Sequence, residues 1–263
     1  MMGLRVSVVQ YLNTAPLIWG MIRGAQRGKF QLDFTTPAGC ADAIRSQNAS
    51  VGIIPAIETQ RIGGLEAVEG VSISSLGDVK SVILISKKPI EAVESVATDT
   101  SSRTSSALVG ILLRKFYGLR PQIIQAAPDP VAMLRAADAA LLIGDPALVY
   151  QPGSLKVYDL AAEWKKFTGL PFVFALWAGP KSAGLADLAA DFRQSRDYGL
   201  AHVDEIAAEY APRHCLTPEQ VKIYLTHNIN YTLDRVHHKA LTLFFRLALE
   251  EGIISSEKEV AFV

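Results

Sequence analysis

The run Arg5-Val-Ser-Val-Val-Gln10 followed by Tyr11-Leu-Asn-Thr-Ala-Pro16 sets the pattern for the chain. The β-branched residues predict a strand. Asn13 or Thr14 ahead of Pro16 predicts a helix start, because the side-chain oxygen takes an orphan N–H and proline fits the first turn. That helix extends to about Ala25. Working outward, Leu32–Thr35 reads as a strand, Ala38–Ser46 as a helix and Val51–Ile54 as a strand ending at Pro55. Strand and helix alternate, the signature of a mostly parallel sheet.

Val71–Ser75 and Val79–Ser86 read as further strands, and Ser95–Thr98 opens a second α/β series. The loop Thr98-Asp-Thr-Ser-Ser-Arg-Thr-Ser-Ser106 leads into a helix ending near Tyr117-Gly118, where glycine is a suitable terminator. Pro121–Gln125 reads as a strand, Pro130–Ala136 as a helix and Ala139–Ile143 as a buried strand. Gly144-Asp145-Pro146 starts another helix, and Phe172–Ala178 is a strand broken by Gly179-Pro180. From Gly184 to Leu249 the pattern is helical, with Leu241, Phe244, Phe245, Ala248 and Leu249 at three- and four-residue spacing. Two α/β series and a helical tail imply two lobes. A crossover near Ser86–Pro89 and a return near Ala178–Pro180 make residues 89–179 an inserted lobe, and residues 1–88 with 180–263 the other. That plan resembles the type II periplasmic-binding-protein fold, an α/β architecture with its ligand cleft between the lobes.

Of 263 residues, 49% are hydrophobic and 20% charged, which excludes a disordered or fibrous chain. Twenty-six basic residues balance twenty-six acidic ones with no basic stripe, so no nucleic-acid partner is expected. No apolar stretch approaches the roughly twenty residues of a membrane span. Met1-Met2-Gly3-Leu4-Arg5 runs straight into the first strand without a basic leader and apolar run, which predicts a cytoplasmic protein. Cys40 and Cys215 lie far apart and read as reduced packing residues. All five histidines fall in the tail without His-Glu-x-x-His spacing, and His237-His238 read as a solvated surface. No nucleophile elbow, phosphate loop or dinucleotide fingerprint is present, so neither metal nor cofactor is expected. Trp19, Trp164 and Trp177 read as core.

Asn13-Thr14, Ser101–Ser106 and Gly144-Asp145 each follow a strand and open a helix. In open α/β sheets ligands bind beyond the carboxyl ends of the strands. Helix starts offer free N–H groups and partial positive charge, so they hold anions. The Ser/Thr run adds hydroxyls and the guanidinium of Arg103. A small molecule carrying one or more carboxylates is the expected ligand. The same residues also suit a purely structural role: Asn13, Ser102 and Asp145 are good N-caps anywhere, and Asp145-Pro146 looks like a cap followed by proline.

Several segments together resemble the chorismate dehydratases, which open the futalosine route to menaquinone. They are Tyr11-Leu-Asn-Thr-Ala-Pro-Leu17, Ser101-Ser-Arg-Thr-Ser-Ser-Ala-Leu108 and Leu142-Ile-Gly-Asp-Pro-Ala-Leu148. Asp159-Leu-Ala-Ala-Glu-Trp164, Thr168-Gly-Leu-Pro-Phe-Val-Phe-Ala-Leu-Trp177 and Asn228-Ile-Asn-Tyr231 complete the set, in order from Val6 to about Gly252. In the loop Pro55-Ala-Ile-Glu-Thr59, Ala56 stands where many relatives carry serine and Thr59 where they carry an aromatic, which leaves that loop's role open. The sister dihydroxynaphthoate synthases lack the Tyr-Leu-Asn-Thr opening. A solute-binding protein for a small carboxylate is the alternative from another class.

The resemblance implies a cofactor-independent hydro-lyase that converts chorismate to 3-[(1-carboxyvinyl)oxy]benzoate and water. It implies that Asn13 orients the enolpyruvyl carboxylate or the departing hydroxyl, with Tyr11, Thr14, Ser81, Ser102, Arg103, Thr104, Ser105, Gly144 and Asp145 as substrate-binding residues. Ser81 and the Ser102–Ser105 run would anchor the carboxylates. The matching segments are rich in donors and poor in bases, which favours the substrate's own enolpyruvyl carboxylate as the proton acceptor over Asp145 or Glu58.

Overall fold

The first strand, β1 (Leu4–Val9), lies inside a sheet, and its last four residues are all buried and covered on both faces. The computed structural model describes residues 3–263. After β1 come β2 (Phe30–Thr35), β3 (Val51–Pro55), β4 (Leu65–Ser75), β5 (Val82–Ser86) and β6 (Ser95–Asp99). They are followed by β7 (Gln122–Ala126), β8 (Ala139–Ile143), β9 (Lys156–Asp159), β10 (Phe172–Pro180) and β11 (Ala261–Phe262). Helices α1 (Ala15–Arg23), α2 (Pro37–Arg45) and α3 (Glu58–Arg61) connect the first four strands. The second series carries α4 (Arg103–Ile111), α5 (Pro130–Ala136), α6 (Gly144–Leu148) and α7 (Leu160–Thr168). The tail is α8 (Leu185–Ala201), α9 (Val203–Tyr210), α10 (Pro218–Ile223) and α11 (Arg235–Glu250).

The strands form two sheets, ordered β11-β4-β10-β3-β1-β2 and β7-β6-β8-β5-β9. Apart from β11, the sheets share one plan. Each has a parallel trio, β3-β1-β2 or β8-β6-β7, extended by an antiparallel strand, β10 or β5, and an edge strand, β4 or β9. In each sheet the antiparallel strand is the first after the chain crosses from the other lobe. The sheets are therefore more mixed than strand–helix alternation predicts. This sheet membership also differs from the expected lobe boundaries: β5 belongs to the second sheet and β10 to the first, so the crossings lie at 76–81 and 160–171.

One hydrophobic cluster runs through both lobes and encloses Trp19, Trp164 and Trp177, while a smaller one around Ile83, Met133 and Leu142 lies in the second lobe. The tail braces the cleft from behind. Ser195 in α8 bonds the Leu17 carbonyl at 2.7 Å and the Met21 N–H at 3.2 Å in α1. Gly199 makes this packing possible, since a Cβ there would lie 2.0 Å from the Pro16 carbonyl oxygen.

Local expectations fail in a few places. Residues 79–81 form a turn rather than strand, with Lys80 at φ 63°. β9 and β11 are short edge strands that periodicity did not reveal. His237 is 2% exposed, not solvated, because its Nδ1 closes a capping box with Asp234 at the start of α11. Cys40 is fully buried and its thiol is pushed up to about 11 by burial, but Cys215 is exposed.

Candidate active site in the interlobe cleft

The three helix starts meet. Asn13, Ser102 and Gly144 line one cleft together with Tyr11, Ser81, Arg103, Thr104 and Ser105. Apolar walls come from both lobes, among them Val9, Pro55, Ile73 and Phe174 from the first and Val82 and Ile143 from the second. The cleft holds about 540 Å³ of empty space, part of it open to solvent.

The capping role that sequence equally allowed is absent at all three starts. Tyr11, at the head of the short 3₁₀ turn Leu12–Thr14, makes no side-chain cap, and neither does Thr14 ahead of α1 or Ser102 ahead of α4. Asn13 is therefore left half-buried at the cleft wall. Thr14 is buried and does not line the cleft; its hydroxyl lies 3.4 Å from Asn13 Oδ1. Asp145 does not cap its own helix either. Its Oδ1 accepts the Leu12 N–H from the opposite lobe at 2.9 Å, while Oδ2 lies 3.6 Å from His214 Nδ1. Burial raises the Asp145 carboxyl above its ordinary value, against the Leu12 N–H and His214, which lower it.

Gly144 is required beside it. Its φ is 65°, and a Cβ would lie 2.6 Å from the Tyr11 ring. Tyr11 thus lies flat against the backbone of the other lobe. Burial, with Asp99 and Asp145 nearby, pushes its phenol up to about 12, so it stays a neutral donor through the physiological range.

Ser81 sits where the chain enters the second sheet. The turn before it is pinned by Asp159, whose carboxylate accepts the N–H groups of Val79 and Lys80 at 2.7–3.1 Å while also capping α7 through Ala161 and Ala162. One side chain therefore ties together the two segments that cross between lobes. Behind the cleft wall, Tyr224 donates to Ser81 Oγ at 2.7 Å and Tyr231 donates to the Asn13 carbonyl at 2.9 Å.

Arg103 is taken up by carboxylates of the first lobe. It donates to Glu58 at 3.0 Å and to both Asp42 oxygens at 2.8 and 2.9 Å. Glu58, 1% exposed at its side chain, also receives Arg45 and Arg61 and does not line the cleft. Thr104 Oγ1 accepts the Ile57 N–H at 3.2 Å, which gives the Pro55–Thr59 loop a lobe-joining role. Ser102 and Ser105 are nearly buried residues of the cleft lining. Among the described residues that line the cleft, Tyr11 and Arg103 are the titratable ones. Among the described residues, no group of three or more His, Cys, Asp or Glu side chains is placed to hold a metal ion, and no helix is long and apolar enough to cross a membrane.

A family model described as menaquinone biosynthesis matches residues 4–250. The chain belongs to that family. Over 196 residues it is 32% identical to a chorismate dehydratase of Thermus thermophilus, an alignment covering 66% of this chain and 69% of the relative. Among solved structures, a protein of Archaeoglobus fulgidus superposes with a TM-score of 0.77 at 19% identity, over 96% of this chain and 99% of that one. The alkanesulfonate-binding protein of Xanthomonas axonopodis, bound to MOPS, gives 0.69 at 17% identity, over 99% and 96%. The periplasmic aliphatic sulphonate binding protein of Escherichia coli gives 0.67 at 15%, over 97% and 89%. At these identities the structures establish the fold, the two-lobed type II binding-protein architecture, which in this family member carries a helical tail.

Of the residues singled out by sequence, Tyr11, Asn13, Ser81, Ser102, Arg103, Thr104, Ser105 and Gly144 come together, while Thr14, Asp145 and Glu58 sit behind the wall. Sequence reasoning missed Tyr224 and Asp159 as supports of the site. Asp159 ahead of a helix is a legible cap, but its second task depends on a contact eighty residues away in sequence.

Proposed function

We propose that this chain is a chorismate dehydratase, a hydro-lyase that forms 3-[(1-carboxyvinyl)oxy]benzoate and water, with the cytoplasm as its place of action. The observation that carries the reading is an apolar-walled cleft where hydroxyl and amide side chains, Arg103 and helix starts converge, in a chain from the menaquinone-biosynthesis family and similar to a chorismate dehydratase. A dicarboxylate suits such a lining.

The reaction removes the proton from the carbon bearing the enolpyruvyl ether. The electron pair moves through the ring into the ring carboxylate, giving an enolate-like dianion that hydrogen-bond donors stabilise. Its collapse expels the neighbouring hydroxyl, which leaves with a proton as water, and the ring becomes aromatic. In this reading Ser81, Ser102 and Ser105 meet the carboxylates, and Asn13 orients the enolpyruvyl carboxylate or the leaving hydroxyl. Neither enzyme carboxylate weighed as the base lines the cleft, since Asp145 serves Leu12 and Glu58 serves three arginines. This favours the substrate's own enolpyruvyl carboxylate as proton acceptor, with the closed cleft holding the reactive conformer and excluding water.

The test is to incubate purified protein with chorismate and separate the products by chromatography with mass detection. An aromatic product lighter by one water supports the reading. Tight binding of unchanged chorismate points instead to a solute-binding protein.

A further inference from the structure

We infer that Tyr224 is a positioning residue of the reaction, acting through Ser81 from behind the cleft wall. The inference rests on the dehydratase reading and names a part of that site drawn from the tail. Tyr224 is 2% exposed and begins a π-helical stretch, Tyr224–Asn228, that directly follows α10. Such wide turns sit frequently at functional sites, because they re-aim a side chain that an α-helix would direct elsewhere.

A hydroxyl has one proton to give. Ser81 Oγ accepts the Tyr224 O–H at 2.7 Å. Among the described residues its own proton has one protein acceptor in reach, the Val79 carbonyl at a long 3.4 Å. A carboxylate in the cleft is a far better acceptor than that strained contact. The phenol therefore orients Ser81 as a donor toward the cleft and polarises its O–H, as consecutive hydrogen bonds do. The Asn13 side chain also lies near the Tyr224 hydroxyl. Tyr231 fixes the Asn13 backbone from the same side. The gain is largest where charge builds on the ring carboxylate, that is, in the transition state, so the effect falls on kcat more than on KM.

The experiment is a double-mutant cycle on chorismate turnover with Tyr224→Phe, Ser81→Ala and the double variant, alongside thermal melting of each. Phenylalanine keeps the ring and its packing. The expected result is a fall in kcat of about 10- to 100-fold for Y224F with KM changed little, the size of one lost buried hydrogen bond. The double variant is then no slower than S81A alone. Wild-type turnover by Y224F, or losses that simply multiply in the double variant, would overturn the proposal while leaving the dehydratase reading intact. If Y224F melts too early to assay, a Tyr224→Trp variant, which restores a buried N–H donor, is compared with Tyr224→Leu: equal activity of the two overturns it. A wild-type protein that leaves chorismate unchanged overturns the functional reading and this inference with it.

Discussion

Asp145 Oδ1 accepts the Leu12 N–H at 2.9 Å across the cleft, so an acid at the start of one lobe's helix completes the first turn of the other lobe's. The bond joins Gly144, against which Tyr11 packs, to the segment that carries Asn13. Removing the acceptor by Asp145→Ala strands a donor in a nearly dry position, at a cost of about 1–3 kcal/mol. Chemical denaturation measures it. Asp145→Asn keeps an acceptor oxygen and recovers most of the loss.

The pH dependence of stability has a definite sign. Burial raises the Asp145 carboxyl in the folded state, so between its unfolded and folded values the native protein holds the extra proton. Unfolding free energy then falls as pH rises from the ordinary carboxylate value through that window. Asp159 is raised by burial as well and contributes with the same sign. Denaturation curves across mildly acidic pH are expected to show a shallower slope for D145N than for the wild type.

Gly144→Ala places a methyl in the Tyr11 ring and a side chain at φ 65°. The variant is expected to lose more than about 1 kcal/mol and to lose turnover together with it. Gly110→Ala in α4, where the nearest neighbour of a Cβ is Ile253 at 3.9 Å, is the matched control. It is expected to hold or gain about 0.5–1 kcal/mol from helix propensity. Thermal melts of the pair decide the matter.

Arg103 holds two first-lobe carboxylates. If these ion pairs clamp the lobes together, Asp42→Ala and Arg103→Ala are both expected to raise KM, by roughly three- to tenfold. If the guanidinium instead served the substrate directly, Asp42→Ala would free it and lower KM. Steady-state kinetics on the two variants separates these roles.

Among the described residues of the lining Tyr11 and Arg103 are the titratable ones, and Tyr11 is pushed up to about 12, so a substrate-assisted reaction uses no described lining group that changes state near neutrality. The rate constant kcat/KM is expected to stay flat from about pH 6 to 9. An inflection within that range would assign the proton to a protein group.

Much of this was legible in the sequence because it is local. β-branched runs mark β1, β3 and β5, a short apolar run marks β8, and the strand-to-helix junctions mark most of the polar residues that line the cleft. What escaped depends on contacts between distant segments. β5 and β10 read as ordinary strands, and only pairing with strands of the other series shows that they run antiparallel. Asp145-Pro146 has the form of a cap on its own helix, yet the carboxylate turns to a backbone amide 133 residues away. Arg103 has the look of a free anion-binding guanidinium until Asp42 and Glu58 fold against it. Tyr224 carries no sequence signal at all, since its partner Ser81 lies 143 positions earlier.

The most direct test of the central claim compares wild-type protein with an Asn13→Ala variant of equal folded content, each mixed with chorismate and sampled over time by ultraviolet absorbance and mass. The wild type is expected to yield the aromatic enolpyruvyl ether with loss of one water, and the variant to be slower by about 10²–10³-fold. Asn13→Ala turnover at the wild-type rate would contradict the assignment of Asn13, and unchanged chorismate in the wild-type sample would contradict the enzyme itself.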